Sequence, residues 1–136
     1  MMESGALTEF VGTVAVNATW AEDIYFSEDG IPTDLTGLSF RMTFRRCDEN
    51  FQSTYGWGWS YYNTSPDLTL STDDGTLTIT DDDDGNHCVL SITLPAGTMT
   101  GIGDYIADLA SKDADDVITP WAHGRVTFRN NPPSWT

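Results

Sequence analysis

Asp81-Asp82-Asp83-Asp84 is the densest set of potential metal ligands in the chain. Hard cations such as calcium take several oxygen ligands, and carboxylates on one turn can converge on an ion. The run lacks the ligand ladder and distant Glu of an EF-hand loop. Consecutive carboxylates also repel one another when no ion holds them, so a solvated hairpin tip is the better reading. His87 and His123 are the only histidines, and neither stands in an HExxH-type pattern. His87 adjoins Cys88, but a zinc site needs two further soft ligands and only Cys47 is on offer. A Cys–His nucleophile is no better supported, because Cys88 falls on the core side of an alternating segment, where a thiol is usually inert. Gly101-Ile102-Gly103 lacks the rest of a dinucleotide fingerprint and reads as a turn. No paired-carboxylate, triad or phosphate-loop constellation stands out among the 21 acidic residues. The residues point away from an enzyme and require no cofactor.

Three other sets carry information. Cys47 ends one alternating segment and Cys88 begins another, as antiparallel partners would, so the two are expected to lie close together. Buried reduced thiols are the default there, with a Cys47–Cys88 disulfide only where the folded chain meets oxidant. Arg41 and Arg45 lie four apart on one segment, and Arg125 and Arg129 lie four apart on another. If those segments share a sheet, four guanidiniums leave one surface of an otherwise anionic protein, and Arg is favoured at interfaces for its planar fork of donors. Otherwise they are scattered solubility charges. Phe51, Tyr55, Trp57, Trp59, Tyr61 and Tyr62 stand between glycines and serines in Asp48–Pro66. That stretch reads either as a docking loop anchored by Trp57 and Trp59 or as a hairpin, Gly56–Tyr62, laid on the sheet edge.

The elements that position these residues follow from period-two alternation. In Leu38–Cys47, Leu38, Phe40, Met42 and Phe44 oppose Ser39, Arg41, Thr43 and Arg45. In Cys88–Leu94, Cys88, Leu90, Ile92 and Leu94 oppose Ser91 and Thr93. Successive side chains of a strand leave opposite faces, so both read as strands with one face in a core. The same pattern suggests a first strand over Val14–Trp20, with a core set that includes Val14, Val16, Leu77, Ile79, Leu109, Val126 and Phe128. Leu68–Ser71 and Thr76–Thr80 read as short strands joined by the Asp74-Gly75 turn. Tyr105–Leu109 and Val117–Trp121 can pair around Lys112–Asp116, and His123–Arg129 is the last strand. Seven to nine short strands at close spacing, with no helical period, indicate an all-β antiparallel sandwich. One domain over residues 13–129 is expected, after an N-terminal arm (1–12) and before a tail (130–136).

Bulk properties narrow the partners. A hydrophobic content of 39% argues for a folded chain despite a net charge of −15. That field repels phosphate backbones and anionic membranes, so neither nucleic acid nor a membrane surface is an expected partner. Met1–Gly5 lacks the basic start and apolar run of a signal peptide, so synthesis and folding inside a cell are expected.

Several phrases carry a family likeness: Asp34–Met42, Leu70–Ile79, Leu90–Ala96, Gly103–Leu109 and Gly124–Phe128. Together they resemble small immunoglobulin-like proteins encoded among the structural genes of tailed bacteriophages and prophages. A DLTG-x-x-F strand, an LST-x-[DN]-G-x-[IL] hairpin and a G-x-Y-x-x-DL … GRV-x-V ending recur in such proteins. The likeness spans about residues 30 to 128 and is structural rather than catalytic. It implies an immunoglobulin-like sandwich, with Tyr105 at the place of a tyrosine corner. It also implies a virion component of head, neck, tail or fibre attachment, made in the host cytoplasm, homo-oligomeric and docked on other virion proteins. Phe51–Tyr62 departs from the family's short connection. The alternative from the residues is a carbohydrate- or host-surface-binding module with Trp57, Trp59, Tyr61 and Tyr62 as a stacking platform.

Overall fold

The computed structural model describes residues 8–46, 67–99 and 101–130, with side chains from residue 12 onward. All described elements are strands: β1 (Thr8–Ala15), β2 (Trp20–Tyr25), β3 (Ser27–Glu28), β4 (Ile31–Pro32), β5 (Ser39–Arg46), β6 (Leu68–Ser71), β7 (Leu77–Thr80), β8 (Val89–Leu94), β9 (Gly103–Lys112) and β10 (Ile118–Arg129). They form a five-stranded sheet in the order β1-β10-β9-β5-β6, a three-stranded sheet β2-β8-β7 and a small β3-β4 ribbon. Pairing is antiparallel except between β1 and β10, which run parallel.

Alternation does the work expected of it. Phe40, Met42 and Phe44 are buried on β5, as are Leu90, Ile92 and Leu94 on β8, while Arg41 points to solvent. Of the expected core, Val16 and Ile79 are half-buried and packed against the core cluster, and every other member is buried. The two larger sheets share this core. Trp20 on β2 meets Phe44 on β5 and Phe128 on β10 edge-on, at centroid distances of 6.0 and 6.2 Å. At the other end Phe26, just after β2, packs against Trp121 at 4.9 Å and Phe40 at 5.4 Å.

Three features differ from the sequence reading. Val14–Trp20 is not one strand: β1 ends at Ala15, and the chain turns before β2 starts at Trp20. Both Val14 and Trp20 reach the core, but from opposite sheets, so an unbroken alternation hid the crossing. Pairing also begins inside the expected arm, with Thr8 opposite Ala122; a parallel partner that distant in sequence leaves no local signal. Second, β6 and β7 are not a hairpin. They belong to different sheets, and Thr72–Thr76 carries the chain between them, held by Ser71 N–H to Thr76 Oγ1 (2.9 Å) and Thr76 N–H to Asp74 Oδ1 (2.9 Å). Third, Val117–Trp121 and His123–Arg129 are one strand, β10, with a register shift between Pro120 and Ala122. The shift turns both Trp121 and Ala122 inward. A bulge reverses the parity of everything after it, which made one strand look like two.

Among the described residues the Thr33 hydroxyl is buried without a hydrogen-bond partner, whereas two large polar side chains of the core are paired. The Trp121 indole N–H donates to Ser111 Oγ at 2.8 Å, both residues being buried. Tyr105 donates its hydroxyl proton to the Gly101 carbonyl (3.1 Å) and accepts from Arg46 Nη1 (3.4 Å), while its ring meets Phe128 at 5.3 Å. A Cβ at residue 101 would collide with that hydroxyl, so the loop before β9 needs glycine there. Ser111→Ala strands the indole N–H without a partner and is expected to cost about 1–3 kcal/mol in urea unfolding. Tyr105→Phe removes a bond at a wetter site and should cost about 0.5–1.5 kcal/mol. Equal losses in the two variants would show that the Trp121–Ser111 bond is not the more demanding one.

Candidate docking face

β5, β9 and β10 are neighbours in the five-stranded sheet, and their register builds a continuous outer face. Arg45, Ile106 and Arg125 lie in one row across the three strands, and Thr43, Asp108 and His123 in another. Phe40, Met42 and Phe44 on β5 and Val126 and Phe128 on β10 are buried, so Arg41, Arg45, Arg125 and Arg129, of the opposite parity, face outward on one side of the sheet. The sequence condition for a shared arginine surface is met: Arg41, Arg45, Arg125 and Arg129 all leave the same sheet.

This face is braced. Asp108 sits between two basic groups, with His123 Nδ1 2.8 Å from its Oδ1 and Arg45 Nη1 4.0 Å from its Oδ2. Arg45 Nη1 also donates to Thr43 Oγ1 at 3.1 Å, and Thr127 Oγ1 donates to Asp104 Oδ1 at 2.7 Å. Such partly exposed ion pairs add only about 0–1 kcal/mol each, so their effect is to orient the side chains rather than to hold the fold. Sequence reasoning missed the Asp108–His123 pair. His123 stands opposite Asp108 only because the bulge at Trp121 moves the register by one, and the bulge has no signal beyond Pro120.

Charge is segregated across the molecule. All six Lys and Arg residues of the chain lie on β5, β9 and β10. The connections at the end where β5 begins are acidic instead. Glu28–Asp34, Asp81–Asp84 and Asp113–Asp116 hold ten of the 21 acidic residues (three, four and three). The first two sit together: Leu35 N–H donates to the His87 carbonyl at 2.8 Å, and a cleft of about 220 Å³ separates Pro32–Asp34 from Gly85–His87. Arg41 marks the boundary, sharing a shallow groove of about 330 Å³ with Asp73, Lys112 and Ile118.

Several of these aspartates are used by the turns themselves. Asp82 Oδ1 accepts the N–H groups of Asp84 (2.9 Å) and Asn86 (2.8 Å), and its Oδ2 accepts Asn86 Nδ2 (3.1 Å) and the Cys88 thiol (3.5 Å). The carboxylate at the centre of the sequence's metal candidate is thus already coordinated by donors. His87 pairs with Asp81 beside it. Among the described residues no group of three or more His, Cys, Asp or Glu side chains is placed to hold a metal ion. Hydrogen bonds hold the Asp82 carboxyl below its ordinary value, chiefly the Asn86 N–H; the Thr36 hydroxyl and N–H do the same for Asp34, and those of Thr76 for Asp74.

Cys88 is a free, buried thiol, and burial, reinforced by Asp82, pushes its pKa up. Its reactivity is correspondingly low. Cys47 lies outside the described residues, as do Phe51, Tyr55, Trp57, Trp59, Tyr61 and Tyr62. Among the described strands β5 is flanked by β6 and β9, and β8 by β2 and β7. Compared with known proteins, the chain matches no family model and no curated protein.

A lowered carboxyl pKa contributes stability above the ordinary aspartate value and loses it as pH falls through the folded value. Asp34, Asp74 and Asp82 should therefore make the fold weaken below about pH 4. Asp82→Ala is expected to lower the thermal midpoint near neutrality and to flatten that acid loss. Relief of net repulsion is common to both proteins, so the difference between their curves isolates the Asp82 turn. Parallel curves would show that Asp82 does not cap the turn in solution.

Proposed function

We propose that this chain is an immunoglobulin-like structural component of a tailed-phage virion, a non-catalytic module that docks through the outer face of its five-stranded sheet. The observation that carries the docking reading is the gathering of Arg41, Arg45, Arg125 and Arg129 on one braced face of a protein with net charge −15. Supporting the immunoglobulin-like reading, the order β1-β10-β9-β5-β6 opposite β2-β8-β7 follows the strand plan of a variable-type domain, in which an extra strand extends the G-F-C sheet. Tyr105 bonds back to the backbone four residues upstream at the start of β9, as a tyrosine corner does. The virion assignment rests on the motif resemblance across residues 30 to 128. The aromatic run Phe51–Tyr62 falls between β5 and β6 in the sequence, outside the described residues.

Docking of this kind works by shape and charge complementarity, with no bond made or broken. Mass spectrometry of purified particles from the encoding phage or induced prophage should find the chain at a fixed ratio to the major structural proteins. Arg125→Glu with Arg129→Glu should reduce its incorporation by about tenfold or more while leaving the unfolding midpoint unchanged. Absence of the wild-type chain from particles would overturn the virion reading. Full incorporation of the double variant would overturn the arginine face.

A further inference from the structure

Three of the four face arginines stand away from the acidic loops along the same strands, whereas Arg41 and Lys112 lie at the acidic end and Asp104 and Asp108 lie on the face itself. β10 starts beside the Asp113–Asp116 turn and ends at Arg129, about 35 Å further on. Arg45, Arg46, Arg125 and Arg129 occupy the half of the sheet away from the acidic connections: Arg45 and Arg125 flank Ile106, and Arg46 pairs with Tyr105. The separation is several times the screening length of about 8 Å at physiological salt, so the two ends do not neutralise each other within one molecule. Each end also exposes apolar area: Ile31, Val117 and Ile118 among the carboxylates, and Ile102 just before β9 at the Arg129 end.

Resting on the docking reading above, we propose that the arginine face binds the acidic loop end of a second copy of this chain. Charge decides which ends meet. Two copies whose arginine ends met would oppose Arg45, Arg125 and Arg129 to one another, and like charges juxtaposed across an interface disfavour it. Two copies meeting through their acidic ends would be opposed in the same way. Contact between unlike ends pairs arginines with carboxylates and has exposed apolar residues on both sides, Ile102 on one and Ile31, Val117 and Ile118 on the other. Made reciprocally about a two-fold axis this pairing closes a dimer, and made head to tail it propagates into a ring or an open filament.

Net repulsion between two copies of charge −15 acts at long range and the local pairing acts at contact. Association should therefore be weak at very low salt, strongest near about 0.15 M, and weak again at high salt. Sedimentation equilibrium of the full chain tests this. Arg125→Glu/Arg129→Glu and Asp115→Arg/Asp116→Arg should each raise the dissociation constant by about tenfold or more. Mixed in equal amounts they should recover complexes, because the intact acidic end of the first fits the intact arginine face of the second. Circular dichroism establishes that both variants are folded, and Arg125→Gln/Arg129→Gln should fall between wild type and the charge reversal. A wild-type chain that stays monomeric at millimolar concentration overturns the proposal, as does undiminished association in either variant or a mixture that stays monomeric. A monomeric chain that still enters particles through its arginines would leave the docking reading standing and remove only the second copy as partner.

Discussion

Edge-on aromatic packing between the two sheets is the interaction on which the rest of this structure depends. Trp20 reaches from β2 to Phe44 and Phe128, and Phe128 in turn meets Phe44 at 5.5 Å and Tyr105 at 5.3 Å. A second group, Phe26 with Phe40 and Trp121, closes the other end. Each such pair is worth about 0.5–1.5 kcal/mol beyond its buried area. The geometric consequence matters as much. With large rings fixing both ends of the inter-sheet gap, β5, β9 and β10 are held in one register, and the residues between the buried ones are aimed outward as a set. The arginine face is the reverse side of the aromatic core.

The charged residues divide accordingly. Strands supply outward positions at every second residue, and the cations of this chain are spent on three adjacent strands. Connections supply turns, and here the turn chemistry is almost entirely aspartate. Asp34, Asp74, Asp82 and Asp113 each accept backbone N–H groups two to four residues on. An acidic end is thus partly a by-product of how this chain makes its turns. The net charge of −15 reflects the turns more than the sheets.

How much of this was legible in the sequence depends on where the determining interaction lies. Phe40–Phe44 and Leu90–Leu94 announce their faces because one strand suffices to show alternation. The four arginines were legible as two outward pairs, and their meeting on one sheet followed once β9 was placed between β5 and β10. Trp121, Ser111 and the Asp108–His123 pair were not legible, because all three depend on a single bulge that shifts the register of β10. The crossings at Val16–Thr19 and at Thr72–Thr76 were also hidden. In each, an alternating pattern continues through a change of sheet, and Asp74-Gly75 turns the chain as a hairpin would while delivering it to a different partner. Long-range partners such as β1 and β10 carry no local mark at all.

Coverage of the outer face of β5, β9 and β10 in the assembled state is the central point to measure. Arginine-directed covalent labelling, read by peptide mass spectrometry, compares that face in the free chain and in purified particles. Arg41, Arg45, Arg125 and Arg129 should all react in the free chain, and Arg125 and Arg129 above all should be protected in the particle. Equal labelling of those arginines in both states would contradict the docking reading.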